Sequence, residues 1–493
     1  MIEDKPLTKE EIAIATAQLI DMTDIKAEEE TKDREDRMNG IYNPFRYIRK
    51  KKIGIEYLID VVVADLLEKF KFKTIYGKVY EEVWFYNKDE GYWQNEGKRI
   101  IKTETEKMLG KYCKNNPVIE VFEKIKRLTD CTMESFNCVP EEMLCLKNGV
   151  LNVETRELLP FDERYNFKSC IPVCYEKDAK CPHIDQFLED TFYPDDIPII
   201  EEWLGFHLYK KHFIKKALII FGPKNTGKTQ FINLLIAFIG DKNKTGISLH
   251  SISAGDKFTL SFLKDKLGNV YDDLSFKDLQ DAGGFKIATG GGYVSAEYKF
   301  GDSFEFLNYA KNTFATNKIP VIEGESDDAY YLRWLPIPCD NEVPVEEQDT
   351  FLIKKMTSKS ELSGLLNRAL DGLGRLLKTG RFSFNKTTAE IKDIMERHSN
   401  QLVSFARECL QEADGERITK EEMYEVYRAY ASDKGMKIYS KNQLGRRLDK
   451  VVPYMTSKHE KERYWENVRI NPNYTSLINL LAKLRQKQEE LKI

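Results

Sequence analysis

The sequence predicts a multidomain α/β protein: a mixed, mainly helical N-terminal domain, a central α/β core, and a C-terminal unit of winged-helix plan. Three observations predict it. The chain has 493 residues, too many for one ordinary hydrophobic core. Between 196 and 340, short apolar runs alternate with stretches of helical periodicity, as in layered α/β folds. Between 415 and 470, two capped helices precede a charged hairpin.

Composition narrows the class. Apolar residues make up 41% of the chain, enough to bury real cores. No run approaches the eighteen or so apolar residues of a membrane span. The N-terminal MIEDKPLTKEEIAIA lacks the basic-then-apolar order of a secretory signal, so an intracellular protein with no membrane partner is expected. The net charge of −4 does not announce a nucleic-acid binder, but residues 1–40 carry 12 Asp/Glu against 6 Lys/Arg. An acidic head of this kind reads as solvated chain, and the rest carries local basic clusters. The nine cysteines are scattered with no C-x-x-C pair, which suggests reduced thiols. Cys170, Cys174, Cys181 and His183 read as strand and turn residues in preference to a zinc site.

The elements follow in order. Residues 1–45 read as an acidic flexible segment with one short helix near Thr8–Ile20. A domain over 46–195 opens on a basic, aromatic patch, Phe45–Lys52 (FRYIRKKK). In it Ile55–Phe72 and Ile100–Cys113 have helical periodicity. Tyr80–Trp93 reads as a hairpin closed by Asp89-Glu90-Gly91. Leu144–Val153 reads as two strands around Asn148-Gly149, a type I′ turn signal. The α/β core is assigned to 196–385, with 350–380 helical. The winged-helix-like unit takes 386–473, beginning with helix over 387–413. Thr419–Lys434 is a helix capped by Thr419. Ser440–Val451 is a second, capped by Ser440, stopped by Pro453 and carrying Lys441, Arg446 and Arg447. Tyr454–Ile470 is the hairpin. In that plan the second helix enters a DNA groove. Residues 474–493 form an amphipathic helix with Leu477, Leu481, Leu484 and Leu491 on one stripe.

Chemistry enters at Gly222-Pro223-Lys224-Asn225-Thr226-Gly227-Lys228-Thr229, which fills every fixed position of G-x-x-x-x-G-K-[ST]. The buried-strand run Ala217–Phe221 precedes it. Phe231, Ile232, Leu234, Leu235, Phe238 and Ile239 follow at helical spacing. Gly222 and Gly227 let the backbone turn tightly and aim its N–H groups at phosphate oxygens. The helix N-terminus adds partial positive charge. Lys228 would reach the β- and γ-phosphates of ATP, and the Thr229 hydroxyl would ligate Mg²⁺. Hydrolysis also needs carboxylates, and Asp272 and Asp273 end the stretch Lys266–Tyr271. Asp272 is assigned to the Mg²⁺ shell and Asp273 to polarising water; the two roles could be exchanged. The strand before them reads as weak, because Gly268 and Asn269 interrupt it. Asn317 ends the strand Thr313–Thr316, where an amide could touch the γ-phosphate or the water. Arg333 stands alone among apolar neighbours in Tyr330–Pro336, so it needs a partner: an internal carboxylate or the γ-phosphate of a neighbouring subunit.

These residues carry a resemblance. The order GPKNTGKT, YDDLS, FKIATGGGYVSAEYKF, TFATNKIP and SDDAYYLRWLPIP resembles superfamily 3 helicases, ring-forming AAA+ motors of viruses and plasmids. Within that group it more nearly resembles the helicase part of phage/plasmid and poxvirus-type primase–helicases. The resemblance covers roughly 55–345 and is looser before 195. It implies an AAA+ ATPase core and a hexameric ring in which Arg333 completes the next subunit's site. It also implies a channel hairpin over Val294–Phe306, with Lys299 gripping the DNA backbone between Tyr298 and Phe300. Lys286 matches a further family position. The Asp-Asp pair departs from the Glu of many relatives. No paired-Asp primase motif stands upstream, so a separate primase or polymerase is an expected partner. The expected function is an ATP-dependent DNA helicase that unwinds single-stranded and forked DNA substrates during replication of a virus, plasmid or mobile element, in host cytoplasm or at a viral replication site. The alternative is an origin-binding initiator that uses ATP as an assembly switch.

Overall fold

The computed structural model describes residues 30–76, 81–274, 279, 281–299, 301, 303–320, 328–399, 401–433, 438–459 and 462–490. The chain divides into two compact units, one of 1–152 with 156–170 and one of 153–155 with 171–493. The helix expected near Thr8–Ile20 lies outside the described residues.

The first unit is mixed. Helices Ile59–Lys69, Gly97–Leu109 and Asn115–Leu128 share a core with an antiparallel sheet of Phe72–Tyr76, Glu81–Asn87 and Tyr92–Gln94. The sheet's hairpin turns at Gly91, whose φ of 76° is open to glycine. Residues 30–38, from the acidic head, are helical, and Arg37 pairs with Asp65 at 2.6 Å. The hairpin Met143–Leu146/Gly149–Asn152 forms, but its turn differs from the expected one. Leu146 pairs with Gly149, so Lys147 and Asn148 are the central residues, and neither has positive φ. A type I′ turn needs positive φ at both.

The second unit is built on a parallel five-stranded sheet. Two helices lead in, α1 (Pro182–Thr191) and α2 (Ile197–Leu208). Then come β1 (Ala217–Phe221), α3 (Lys228–Ile239), β2 (Lys244–Thr245), β3 (Gly268–Tyr271), β4 (Lys311–Thr316) and β5 (Trp334–Pro338). The strand order is β2-β3-β4-β1-β5, all parallel. Every residue of β1 and β4 is buried, as a sheet covered on both faces requires. β3 forms despite Gly268 and Asn269. The Asn269 amide is buried but satisfied: it accepts from Ile247 N at 2.7 Å and donates to Ile247 O at 3.0 Å.

Helix α4 (Lys359–Thr379) packs on α2. The stretch 350–380, expected to be helical, holds two helices, Leu352–Met356 and then α4. Glycine permits the close approach. A Cβ on Gly205 would lie 2.2 Å from Ala369 O, and one on Gly372 would lie 2.4 Å from Glu201 O. Arg375 bonds Glu201 and Glu202, and Ser383 donates twice to Glu202, so the buried carboxylate is satisfied.

The C-terminal part runs helix Gln401–Cys409, strand Leu410–Thr419, helices Lys420–Asp433 and Lys441–Val451, strands Thr456–His459 and Arg463–Ile470, then helix Thr475–Glu490. The strand Arg463–Ile470 lies between the other two, antiparallel to both. Both expected caps form. Thr419 and Glu422 exchange bonds at 2.7 and 3.2 Å, and Ser440 and Gln443 make a reciprocal capping box. The helix expected over 387–413 ends at Cys409. Residues 410–413 enter a strand that is mostly exposed and bulged between Glu412 and Arg417, so it lacks apolar alternation. Among the described residues no helix is long and apolar enough to cross a membrane.

Candidate functional site

The phosphate-loop motif leaves the carboxyl end of β1 and enters α3. Gly222 has φ 149°, and a Cβ there would lie 2.0 Å from Cys339 O, so only glycine fits beside the end of β5. Gly227 caps α3 with φ 85° and offers no side-chain acceptor to the first amides. Those N–H groups are therefore uncapped donors at a helix N-terminus. Asn225 adopts φ 60°, and its carbonyl accepts from Val343 N at 2.9 Å.

Lys228 is 8% exposed. Its ammonium donates to Gly222 O at 3.0 Å, to Thr226 Oγ1 at 3.1 Å and to Pro223 O. Burial pulls its pKa below the usual lysine value, with Cys339, Asp272, Asp340 and Glu342 opposing that pull. Burial pushes the neighbouring Cys339 thiol up to about 12, so it is neutral. Thr229 is exposed on the first turn of α3.

A cavity of about 1030 Å³ gathers most of the expected site. Its floor is Lys224–Gln230. Asp272 and Asp273 line it from the end of β3, and Thr316 and Asn317 from the end of β4. Adjacency of β3, β4 and β1 brings these three strand ends together; ligand crevices in open α/β sheets lie outside such ends. Asp273 has φ 54°, a left-handed conformation that Asp tolerates better than most residues, and its N–H donates to Asp272 Oδ1 at 2.8 Å. The remaining walls come from His183, Gln186, Phe187, Asp190 and Thr191 of α1, and from Val343, Glu347–Thr350, Leu352 and Lys355. Sequence reasoning missed both walls. They lie far from the loop in the chain and carry no motif. α1 packs closely on the loop: a Cβ on Gly227 would lie 2.9 Å from Thr191 Oγ1 and 3.3 Å from the Phe187 ring.

Arg333 does not line this cavity. It is half-buried, its Nη1 donates to Ala329 O at 2.6 Å, and its buried Nε has no hydrogen-bond partner among the described residues. The expected hairpin is formed by Tyr293–Glu297 and Ser303–Leu307, antiparallel with Glu297 opposite Ser303. Tyr298 and Lys299 lie at its tip and are exposed, while Phe300 lies outside the described residues. Tyr298 stacks obliquely on Phe304 at 4.5 Å, and Lys264 lies over both rings. Lys286 lies on the short helix Gly283–Ala288. In the C-terminal part Arg446 is exposed, Arg447 lies over the Tyr439 ring at 4.8 Å, and Lys441 pairs with Glu421. Among the described residues no group of three or more His, Cys, Asp or Glu is arranged to hold a metal by protein ligands alone.

Three family profiles match separate segments. Residues 64–193 match "D5 N terminal like", residues 397–483 match "Poxvirus D5 protein-like", and residues 220–333 match a family of unknown function (DUF5906). The two D5-type segments flank the cavity-bearing core in sequence. No curated protein matches the chain. Among solved structures, the apo A form of the NrS-1 C-terminal region is 13% identical, with a TM-score of 0.44, over 83% of this chain and 98% of that one. A second structure of that region is 15% identical, with a TM-score of 0.45, over 83% of this chain and 99% of the other.

Proposed function

We propose that the chain is an ATP-driven DNA motor of the D5 type, a superfamily 3 helicase with an AAA+ core that works as a ring, most simply a hexamer. The observation that carries this reading is the single cavity shared by the phosphate loop, Asp272, Asp273 and Asn317. The strand order β2-β3-β4-β1-β5 supports an AAA+ assignment, and the D5-type profiles on both sides of the core support the replication context.

In this reading the uncapped amides of α3 and the Lys228 ammonium bind the phosphates. Lys228 exchanges its loop carbonyls for phosphate oxygens. The donor set fits Mg²⁺: the Thr229 hydroxyl and Asp272 carboxylate are hard oxygen ligands facing one cavity, and one or two carboxylates suffice when phosphates and water complete the shell. Bound Mg²⁺ supplies charge neutralisation of the phosphates. Asp273 polarises the attacking water, and Asn317 orients it. Arg333, outside its own chain's cavity, serves the site of a neighbouring copy. Lys299 and Tyr298 track the DNA strand. The C-terminal part has the order helix, strand, helix, helix, strand, strand of a winged-helix module, with Arg446 and Arg447 on the helix that would face DNA. Priming falls to a separate primase or polymerase.

Phosphate release by the full chain tests this. Mg²⁺-dependent ATP hydrolysis should rise when single-stranded DNA is added and fall at least about a hundredfold in Asp272→Asn. Hydrolysis indifferent to that substitution would overturn the site assignment.

A further inference from the structure

The basic, aromatic patch Phe45–Lys52 has no part in the motor chemistry. In the first unit it forms a small two-stranded hairpin, Ile48–Lys50 paired with Ile55–Tyr57. The root of this hairpin is fixed. Tyr47 is fully buried and Ile48 nearly so. Arg46 holds Asp65 through Nε at 2.7 Å and Nη2 at 3.1 Å, and Leu58 N donates to Tyr47 O at 2.8 Å. The tip turns at Gly54, φ 85°, where Lys51 N donates to Gly54 O at 3.2 Å.

The surface beyond the root is cationic and largely unpaired. Lys51 meets Glu56 at 3.3 Å, both well exposed. Arg49 stands opposite Glu56 in register but makes no ion pair, and neither do Lys50 and Lys52, among the described residues. Arg46 differs only in being spent on the root. Beside these charges lie two rings. Phe45 is 56% exposed and sits 5.8 Å from Tyr112, tilted by 55°. Lys50 lies over Phe45 at 5.0 Å and Lys111 over Tyr112 at 5.4 Å. Tyr57 Oη donates to Tyr112 O at 2.8 Å, which ties the ring pair to the hairpin. At the tip Ile53 is 95% exposed.

We propose that the Ile48–Tyr57 hairpin and the Phe45–Tyr112 pair form a binding surface for a single nucleic-acid strand. Three cations without carboxylate partners among the described residues match a phosphate backbone, because each phosphate they neutralise releases a condensed counterion. An exposed ring held by a fixed root is a stacking platform that any base fits. A bilayer surface is the competing occupant, but it calls for an amphipathic face with several apolar side chains, and among the described residues this surface exposes only Ile53 and Phe45, amid cations. The proposal stands apart from the ATP site and the Lys299 hairpin.

The test is binding of labelled dT30 to the full chain without nucleotide, by anisotropy across a salt series. In Arg49→Ala/Lys50→Ala/Lys52→Ala the slope of log K against log salt should shrink by about two, three contacts at ~0.7 each. Phe45→Ala should weaken binding roughly tenfold with the slope unchanged. Circular dichroism and melting should match the parent, since none of the three cations holds an ion pair among the described residues. The same comparison in a Lys299→Ala background must give the same slope change, which separates this surface from the other hairpin. An unchanged slope and affinity in the triple variant overturns the proposal. So does failure of the parent to bind dT30. Loss of sedimentation with phosphatidylserine vesicles, with dT30 binding intact, would assign the patch to a membrane surface instead.

Discussion

Lys228→Met separates a nucleotide ligand from a structural lysine. The parent side chain is 8% exposed and makes three hydrogen bonds, two at 3.0 and 3.1 Å. Its charge is held against burial, as its lowered pKa records. Methionine removes the desolvated charge together with its bonds, so the net change without ligand should stay within about 1 kcal/mol, or roughly 2–4 °C in melting. The ligand term behaves differently. At a nucleotide concentration of 100 Kd the parent gains about 2.7 kcal/mol. Losing one charged contact to phosphate costs about 1.5–3 kcal/mol, which raises Kd some 10- to 150-fold. The same concentration then stands near or below ten times Kd, and the gain falls by about half or more. Differential scanning fluorimetry with Mg²⁺ and a non-hydrolysable ATP analogue reads both terms. An equal nucleotide shift in parent and variant refutes the phosphate role. Collapse of the ligand-free variant by more than about 10 °C would make Lys228 a structural residue.

Other outcomes follow from the same geometry. Lys299→Ala should keep basal ATP hydrolysis but lose strand separation, and normal unwinding by that variant would refute the hairpin's role. Arg333→Ala should lose hydrolysis and recover part of it when mixed with Lys228→Ala, since each supplies what the other lacks; no recovery at any ratio would argue for action within one chain. Gly372→Leu should destabilise the second unit by at least about 2 kcal/mol, because even a Cβ would lie 2.4 Å from Glu201 O, and denaturant unfolding would show it. His207 and His212 are buried and held down to about 3 by that burial, below the ordinary 6.5. Their neutral forms favour the fold, so stability is complete above 6.5 and falls as pH drops towards 3, by up to ~1.4 kcal/mol per pH unit for each. His207→Gln and His212→Asn should flatten that slope in urea titrations.

Local signals were legible and distant ones were not. β1, the phosphate loop and α3 are contiguous, so apolar run, glycines and helical spacing could be read together. The caps at Thr419 and Ser440 are equally local, and both form. β3 read as weak because polarity in a strand argues against burial; the side chain of Asn269 finds the Ile247 backbone, which no local pattern reveals. The strand Leu410–Thr419 was hidden because its partner lies about fifty residues on and its own residues face solvent. The cavity walls over 183–191 and 343–355 depend on tertiary packing, of Thr191 and Phe187 against Gly227 and of Val343 N on Asn225 O, and nothing in their composition marks them. The exposed basic hairpin was visible as a charge run, but only its pairing separates Arg46, held by Asp65, from Arg49, Lys50 and Lys52, which make no ion pair among the described residues.

In the proposed motor, nucleotide turnover at this cavity drives strand separation. The direct measurement is displacement of a labelled strand from a forked DNA duplex by the full chain with Mg²⁺ and ATP. Displacement should require hydrolysable nucleotide and disappear in Lys228→Met. DNA-stimulated hydrolysis with no displacement on forks of either polarity would contradict it.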